Sequence, residues 1–265
     1  VSMMLKKKKF RLMMATALVA TGIWKWRANS RGNLQQTSAN SPTQPTSFKS
    51  ANDQETFATY AGSESCRDCH AHAYAKWTNS HHALAERKVD AHTDRHAFEP
   101  AHTIKHGTQN SEARASDGQF QLTTMGADGR PAAFKPERVL GVEPLRQFLF
   151  ASAGGRWQVG ELSFDPRTNE WFDVYGNEDR VAGEWGHWTG RGMTWNSMCA
   201  SCHNTRLRKN YHPATDTYST AMAERGVGCE SCHGPLKPHV TWQRERGGSV
   251  ANDPTVLRFD KNQML

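Results

Sequence analysis

The pattern Cys-x-x-Cys-His occurs three times in this chain of 265 residues, at Cys66–His70, Cys199–His203 and Cys229–His233. These copies account for all six cysteines. With 13 histidines in the chain, a histidine after every second cysteine would arise by chance in roughly one such chain in ten thousand. The pattern therefore has a chemical cause, and the fold must bring two thiols and an imidazole together at three places.

A Cys-x-x-Cys pair can hold zinc, exchange disulfides or attach c-type haem, and the adjacent histidine distinguishes these chemistries. In haem attachment both thiols bond to the porphyrin and the histidine is the proximal iron ligand. Zinc shared by the second and third motifs would leave the Cys66 pair without a partner and the histidines unexplained. The sequence therefore predicts three covalently attached haem c groups. The predicted attachment residues are Cys66, Cys69, His70, Cys199, Cys202, His203, Cys229, Cys232 and His233.

The sixth ligand of each iron decides between electron transfer, which a histidine favours, and substrate chemistry, which needs an open position. Ten histidines lie outside the motifs and favour bis-histidine sites. His81 and His82 follow His70 by eleven and twelve residues, about 16 Å or more along a continuous helix. They are therefore not expected to bind the same iron as His70, and one of them is predicted to reach a neighbouring haem. The predicted iron ligands are His70, His203 and His233, with His81, His82, His106, His187 and His239 as candidates for the sixth position.

The N-terminus has the pattern of an export signal. A basic segment, residues 6–11, precedes an apolar run, residues 12–23, which is short for a membrane span. Residues 1–30 are predicted to be a signal peptide or an N-terminal anchor, with a membrane tether at residues 5–26 as the uncleaved alternative. Export agrees with c-type haem attachment, which takes place outside the cytoplasm, so we expect a periplasmic or otherwise extracytoplasmic protein.

Charge and composition divide the remaining chain. Seven of the 33 Lys and Arg residues and none of the Asp and Glu residues lie in residues 1–30, so the formal charge of +7 belongs to that segment. No basic face is predicted, which argues against nucleic-acid binding. Residues 31–54 are polar and are predicted to be a disordered linker. Residues 55–265 are predicted to form one multihaem domain.

The predicted fold class is mainly α with much irregular structure around the haems, plus a small inserted antiparallel sheet at about residues 117–175. Apolar spacings of three and four predict a helix over Ala71–Lys88. Short helices are predicted after His203 and around Tyr218–Arg225. Alternating runs between turn signals predict four strands. These are Gln119–Thr123, Arg146–Phe150, Trp157–Phe164 and Glu170–Tyr175.

Four stretches resemble the exported multihaem c-type cytochromes related to the tetrahaem cytochrome of ammonia oxidation, of the kind often fused to tetratricopeptide repeats. They are YAGSESCRDCHAHAYAKWTNSHHALA, GVEPLRQFL, HWTGRGMTWNSMCASCHNTRLRKNY and GVGCESCHGP. The resemblance covers about Tyr60 to Val240. It implies bis-histidine haems and electron transfer, and it favours His82 over His81. That family carries further haem motifs and repeats beyond the position of Leu265, so a fragment of a longer protein would explain the difference.

Together these patterns predict an exported trihaem cytochrome that transfers electrons between other redox proteins, its donor and its acceptor. The second and third haems are expected to lie close together, because their motifs are 30 residues apart. One alternative is a multihaem oxidoreductase acting on small nitrogen compounds at an open haem, so the sequence leaves open whether the protein is an enzyme. Another is a structural or sensor haem module of a larger assembly.

Overall fold

A computed structural model describes residues 52–176 and 178–246, together with Asp253 and Thr255. These residues belong to one compact unit, Ser50–Leu265. The predicted leader and nearly all of the predicted linker lie outside the described residues. Within the described part of the chain, no helix has the length and apolar character needed to cross a membrane.

The predicted fold class is wrong, because the protein contains more strand than helix. About 34% of the described residues are in strands and 24% in helices, and only two helices there reach seven residues. The α-helices are α1 (Asp53–Phe57), α2 (Ala71–Trp77), α3 (Trp195–Met198), α4 (Ala200–His203), α5 (Cys229–His233) and α6 (Lys237–Glu245). Short 3-10 helices lie at Ser63–Cys66, Arg95–Ala97, Ala153–Gly155 and Arg191–Met193.

Two antiparallel sheets form the middle of the chain, and strands begin at Glu86 rather than near residue 117. The first sheet has the order β1-β6-β7-β8-β9 and the second has the order β2-β3-β4-β5. Their strands are β1 (Glu86–Lys88), β2 (His102–His106), β3 (Gln109–Ser116), β4 (Gln119–Met125), β5 (Pro131–Phe134), β6 (Arg138–Leu140), β7 (Arg146–Ser152), β8 (Arg156–Asp165) and β9 (Glu170–Asp173). The four predicted strands are confirmed as β4, β7, β8 and β9, with ends displaced by up to two residues.

The segment between the second and third motifs is also strand. Residues Asn204–Arg208 (β10) pair with Ala221–Arg225 (β13), and Tyr211–His212 (β11) pair with Thr217–Tyr218 (β12). The two short helices predicted here are therefore wrong. In the β10–β13 ladder Leu207 lies opposite Met222, and both pack against buried residues, so cross-strand packing explains the extended conformation.

The predicted helix over Ala71–Lys88 is also wrong beyond its first two turns. Helix α2 ends at Trp77, turns follow, and Glu86 begins strand β1. Tertiary contacts explain the change. The His82 carbonyl accepts a hydrogen bond from the Val227 N–H at 2.9 Å, and β1 pairs with β6. The estimate of about 16 Å between His70 and the His81–His82 pair assumed a continuous helix and does not apply.

Two apolar clusters fill the interior. One contains buried residues of both large sheets, including Leu122, Phe148 and Phe164, together with Phe98 from the segment before β2, and Trp171 packs against it. The other contains Leu149, Val159, Trp195 and Ala200, and Cys199 packs against it. The second haem motif is therefore built onto the core behind the five-stranded sheet.

Candidate haem-binding site

The first and third motifs line the same cavity. It has a volume of about 630 Å³, within the range of about 300–1,000 Å³ for ligand and cofactor pockets. All four cysteines of these motifs line it, together with His70 and His233. Two of the candidate sixth ligands, His82 and His239, also line it. Residues far apart in sequence thus supply, in one cavity, the thiols and imidazoles that two haem sites need.

Two carboxylates, the buried Glu230 and the half-buried Glu224, hold these two motifs together. Glu230, inside the third motif, accepts hydrogen bonds from the backbone N–H groups of Ala61 and Gly62, at 2.9 and 2.7 Å. The Ser63 hydroxyl donates to Glu224 at 2.7 Å and accepts from the Cys229 N–H at 2.9 Å. The entry to the first motif is therefore fixed to the start of α5 by charge-assisted hydrogen bonds.

Two of the six thiols, those of Cys66 and Cys199, are weak nucleophiles for disulfide exchange. Burial, with the nearby Cys229 as a second cause, raises the pKa of Cys66 to about 11. Burial, with the charge of Glu86 as a second cause, raises the pKa of Cys199 to about 11. The thiolate is the reactive form in disulfide exchange, and only a small fraction of these two thiols is ionised at neutral pH. The zinc alternative needs the cysteines of the second and third motifs at one site. The cavity of the third motif is lined instead by Cys66 and Cys69 of the first motif.

The rings of His70 and His239 are spaced as two ligands of one iron require. Their centroids are 6.3 Å apart. A metal–nitrogen bond of about 2 Å on each side, plus about 1.2 Å from each nitrogen to its ring centre, gives about 6.4 Å. The His239 Nδ1 lies 2.6 Å from the Asp253 carboxylate, which can only accept, so Nδ1 carries the proton and Nε2 is left for a metal.

His82 and His81 have different surroundings. Both side chains are exposed, but His82 lines the cavity of the first and third motifs and His81 does not. The backbone of His82 is fixed by the bond from Val227 that precedes the third motif. The same loop accepts a hydrogen bond from the Trp77 indole at the Val227 carbonyl, at 2.9 Å. Hydrogen bonds that join Trp77 and His82 to the same residue, Val227, therefore hold His82 at this cavity.

The second motif is oriented by residues just after His82. The His203 Nδ1 lies 2.8 Å from the Ala85 carbonyl oxygen. Because a carbonyl only accepts, Nδ1–H donates and the Nε2 lone pair is free for iron. The buried Glu86 carboxylate accepts from the Asn204 side-chain amide at 2.7 Å and from the Trp195 indole at 2.8 Å. Residues 85 and 86 therefore fix the chain on both sides of the second motif.

The two remaining histidine candidates are buried but differ in their partners. His187 is fully buried, and its Nδ1 lies 2.7 Å from the Thr189 hydroxyl and accepts from the Thr189 backbone N–H at 3.3 Å. Its Nε2 has no hydrogen-bond partner in the described part of the chain. Burial lowers the pKa of His187, which favours the neutral form that binds metals. His106 has partners on both nitrogens, Ser111 at 2.9 Å and Asp173 at 3.6 Å.

Several residues that position the site had no signal in the sequence. Glu86, Glu224 and Glu230 are acidic residues that look like surface residues when the sequence is read alone. Their role is visible only when their donors, distant in sequence, are known. Glu230 alone has a local hint of such a role, because it lies between the two cysteines of the third motif.

The fold and site define a multihaem c-type cytochrome. The pattern of the family described as cytochrome c554 and c-prime matches residues 65–139 and 178–234, and these two segments contain all three motifs. The chain belongs to this family, which implies a function in electron transfer. The resemblance seen in the sequence is confirmed at the level of the family, whereas the association with tetratricopeptide repeats stays a prediction.

Two solved structures are similar to this chain. The outer cell wall cytochrome OcwA is 21% identical, with a TM-score of 0.43, and the match covers 77% of this chain and 36% of that one. The undecahaem cytochrome from the S-layer of Carboxydothermus ferrireducens is 19% identical, with a TM-score of 0.41, and the match covers 68% and 21%. This chain thus spans about a third or less of each. No curated protein matches it.

Proposed function

We propose that this chain is an extracytoplasmic trihaem cytochrome that transfers electrons between a donor and an acceptor protein. The observation that carries the proposal is the cavity in which two Cys-x-x-Cys-His motifs meet two further histidines. Bound haem supplies an iron that changes between the ferric and ferrous states by one electron. The chain holds the cofactor through Cys66, Cys69, Cys199, Cys202, Cys229 and Cys232.

Three histidine pairs would hold the three irons. His70 and His239 would hold the first, supported by their ring spacing of 6.3 Å. His233 and His82 would hold the third, since both line the same cavity. His203 and His187 would hold the second, supported by the oriented ring of His203 and the unpartnered, buried Nε2 of His187. His81, which lies outside the cavity, and His106, whose two ring nitrogens already have protein partners, have no part in this assignment.

The arrangement of the motifs supports rapid exchange between the first and third sites. Cys66 and Cys229, the first cysteines of these motifs, are close enough for their thiols to interact. Electron tunnelling weakens steeply with distance, so sites that share one cavity exchange electrons fastest. The prediction that the second and third haems lie close together stays a prediction. The pair proposed here for rapid electron exchange is that of the first and third motifs.

The test is a visible spectrum of the haem-loaded, dithionite-reduced protein before and after carbon monoxide, with haems per chain counted as the pyridine haemochrome. We expect three haems and no change on adding carbon monoxide. His82→Ala should open one iron, so about a third of the signal should respond, whereas the neighbouring control His81→Ala should not respond. A wild-type response to carbon monoxide would favour the enzyme, a multihaem oxidoreductase with one open haem.

A further inference from the structure

A basic groove lies beside the second motif and has no part in the haem-binding cavity. It has a volume of about 480 Å³. Four cationic side chains, Lys88, Lys135, Arg138 and Arg225, and one acidic side chain, Glu137, line it. Beneath it, the Glu86 carboxylate offsets part of the positive charge.

This concentration of charge is unusual for the chain that carries it. Residues 31–265 contain 26 Lys and Arg, the 33 of the whole chain less the seven before residue 31, against 26 Asp and Glu. Four cations against one lining carboxylate are therefore a local excess on a neutral background. A positive patch on a neutral protein attracts anionic partners over distances set by the ionic strength.

The four cationic side chains differ in how firmly neighbouring residues hold them. Arg138 and Arg225 are held by Glu86 at 3.3 and 3.5 Å, and the Arg138 guanidinium lies 3.8 Å from the ring centre of Trp157. Lys88 and Lys135 are exposed and have no ion pair among the described residues. The groove thus combines two fixed cations at its base with two extended ones that can meet a partner's carboxylates.

The groove is connected to the second haem site through one carboxylate. Glu86, which pairs with Arg138 and Arg225, also accepts the hydrogen bond of Asn204, the residue after His203. Arg225 lies opposite Asn204 in the β10–β13 ladder. A partner seated in the groove would therefore be next to the proximal ligand of the second site.

We propose that this groove is the docking site for an acidic redox protein that exchanges electrons with the second haem site. The inference rests on the proposed electron-transfer function. An open groove with two exposed lysines suits a protein surface, since complementary charges mainly raise the association rate and select the partner. A small bound anion is the competing occupant.

The experiment measures the second-order rate at which reduced plant-type ferredoxin, used as an acidic protein donor, reduces the haem-loaded cytochrome in stopped flow. The groove variant is Lys88→Glu with Lys135→Glu. The control is Lys105→Glu with Arg130→Glu, which changes the net charge equally at exposed positions near the opposite end of the four-stranded sheet. At low ionic strength the groove variant should be about tenfold slower, and high salt should remove the difference.

Equal rates for the groove variant and the control would overturn the proposal. The proposal would also be overturned if inorganic phosphate, added at constant ionic strength, lowered the wild-type rate to that of the groove variant. The groove would then be a site for a small anion. Haem count and the carbon monoxide response are recorded on the same samples. If wild type fails those measurements, the proposed function fails separately from the docking site.

Discussion

Replacement of Glu86 by alanine should be among the most destabilising single changes in this protein. Its buried carboxylate accepts hydrogen bonds from Trp195 and Asn204 at 2.8 and 2.7 Å. It also pairs with Arg138 at 3.3 Å and with Arg225 at 3.5 Å. The substitution would leave two cations and two neutral donors around a cavity that offers them no acceptor.

The magnitude follows from what is left behind. Breaking a buried ion pair costs about 3–5 kcal/mol, and each buried donor left unsatisfied costs about 1–3 kcal/mol, although these costs are not additive. The side chains of Arg138 and Arg225 are 16% and 31% exposed, so water can reach them in part. We therefore expect the Glu86→Ala free energy of unfolding to fall by about 3 kcal/mol, near the lower end of that range.

Guanidinium denaturation of the haem-loaded protein, followed by far-ultraviolet circular dichroism, measures this change. The matched control is Glu112→Ala, which removes a pair with Arg114 at 3.7 Å in which both side chains are 46% exposed. Such surface pairs contribute about 0–1 kcal/mol. If Glu86→Ala and Glu112→Ala differ by less than about 1 kcal/mol, the reasoning about the buried network is refuted.

Two further predictions concern stability. Burial, with Asp173 as a second cause, raises the pKa of Glu161 from 4.5 to about 7. Wild type should therefore lose on the order of 3 kcal/mol relative to Glu161→Gln as the pH rises from about 4.5 through 7, and parallel stabilities at pH 5 and 8 would contradict this. Gly226 has a φ of +82°, and an added Cβ would lie 2.6 Å from the Ala83 carbonyl oxygen. Gly226→Ala should lower the free energy of unfolding by about 2 kcal/mol in the same denaturation assay. The control is Gly129→Ala, where φ is +72° but an added Cβ meets open space, and it should cost less. An equal cost for the two variants would contradict the close approach at Gly226.

Three of the strands that the sequence failed to predict, β1, β10 and β13, share a physical cause. Four strands with clean alternation between turn signals were found, because the alternation itself reflects one buried face. Strand β1 follows helix α2 within a single apolar pattern, and its conformation depends on pairing with β6, about 50 residues away. Strands β10 and β13 flank haem motifs that resemble helix starts. In both cases distant partners decide between helix and strand, and a local pattern does not contain them.

The proposed attachment residues follow from the sequence alone, because covalent haem chemistry requires a fixed local spacing. The proposed sixth ligands do not, because the chain imposes no spacing on a ligand that arrives from elsewhere. His239 lies six residues after His233, yet its ring faces His70, which is far away in sequence. His187 could be selected only by its unpartnered Nε2, which is visible once its surroundings are known.

Residues 82–86 connect two places in the fold, the cavity of the first and third motifs and the second motif. At one end, His82 lines the cavity of the first and third motifs, and the carbonyl of Ala83 packs against Gly226. At the other end, the carbonyl of Ala85 orients His203, and Glu86 fixes Asn204. Two of these contacts use the carbonyls of Ala83 and Ala85, which a continuous helix would pair with its own N–H groups, so a helix here could not make them all. The chain therefore has to leave the helical conformation after Trp77, so that these five residues can contact both the cavity of the first and third motifs and the second motif.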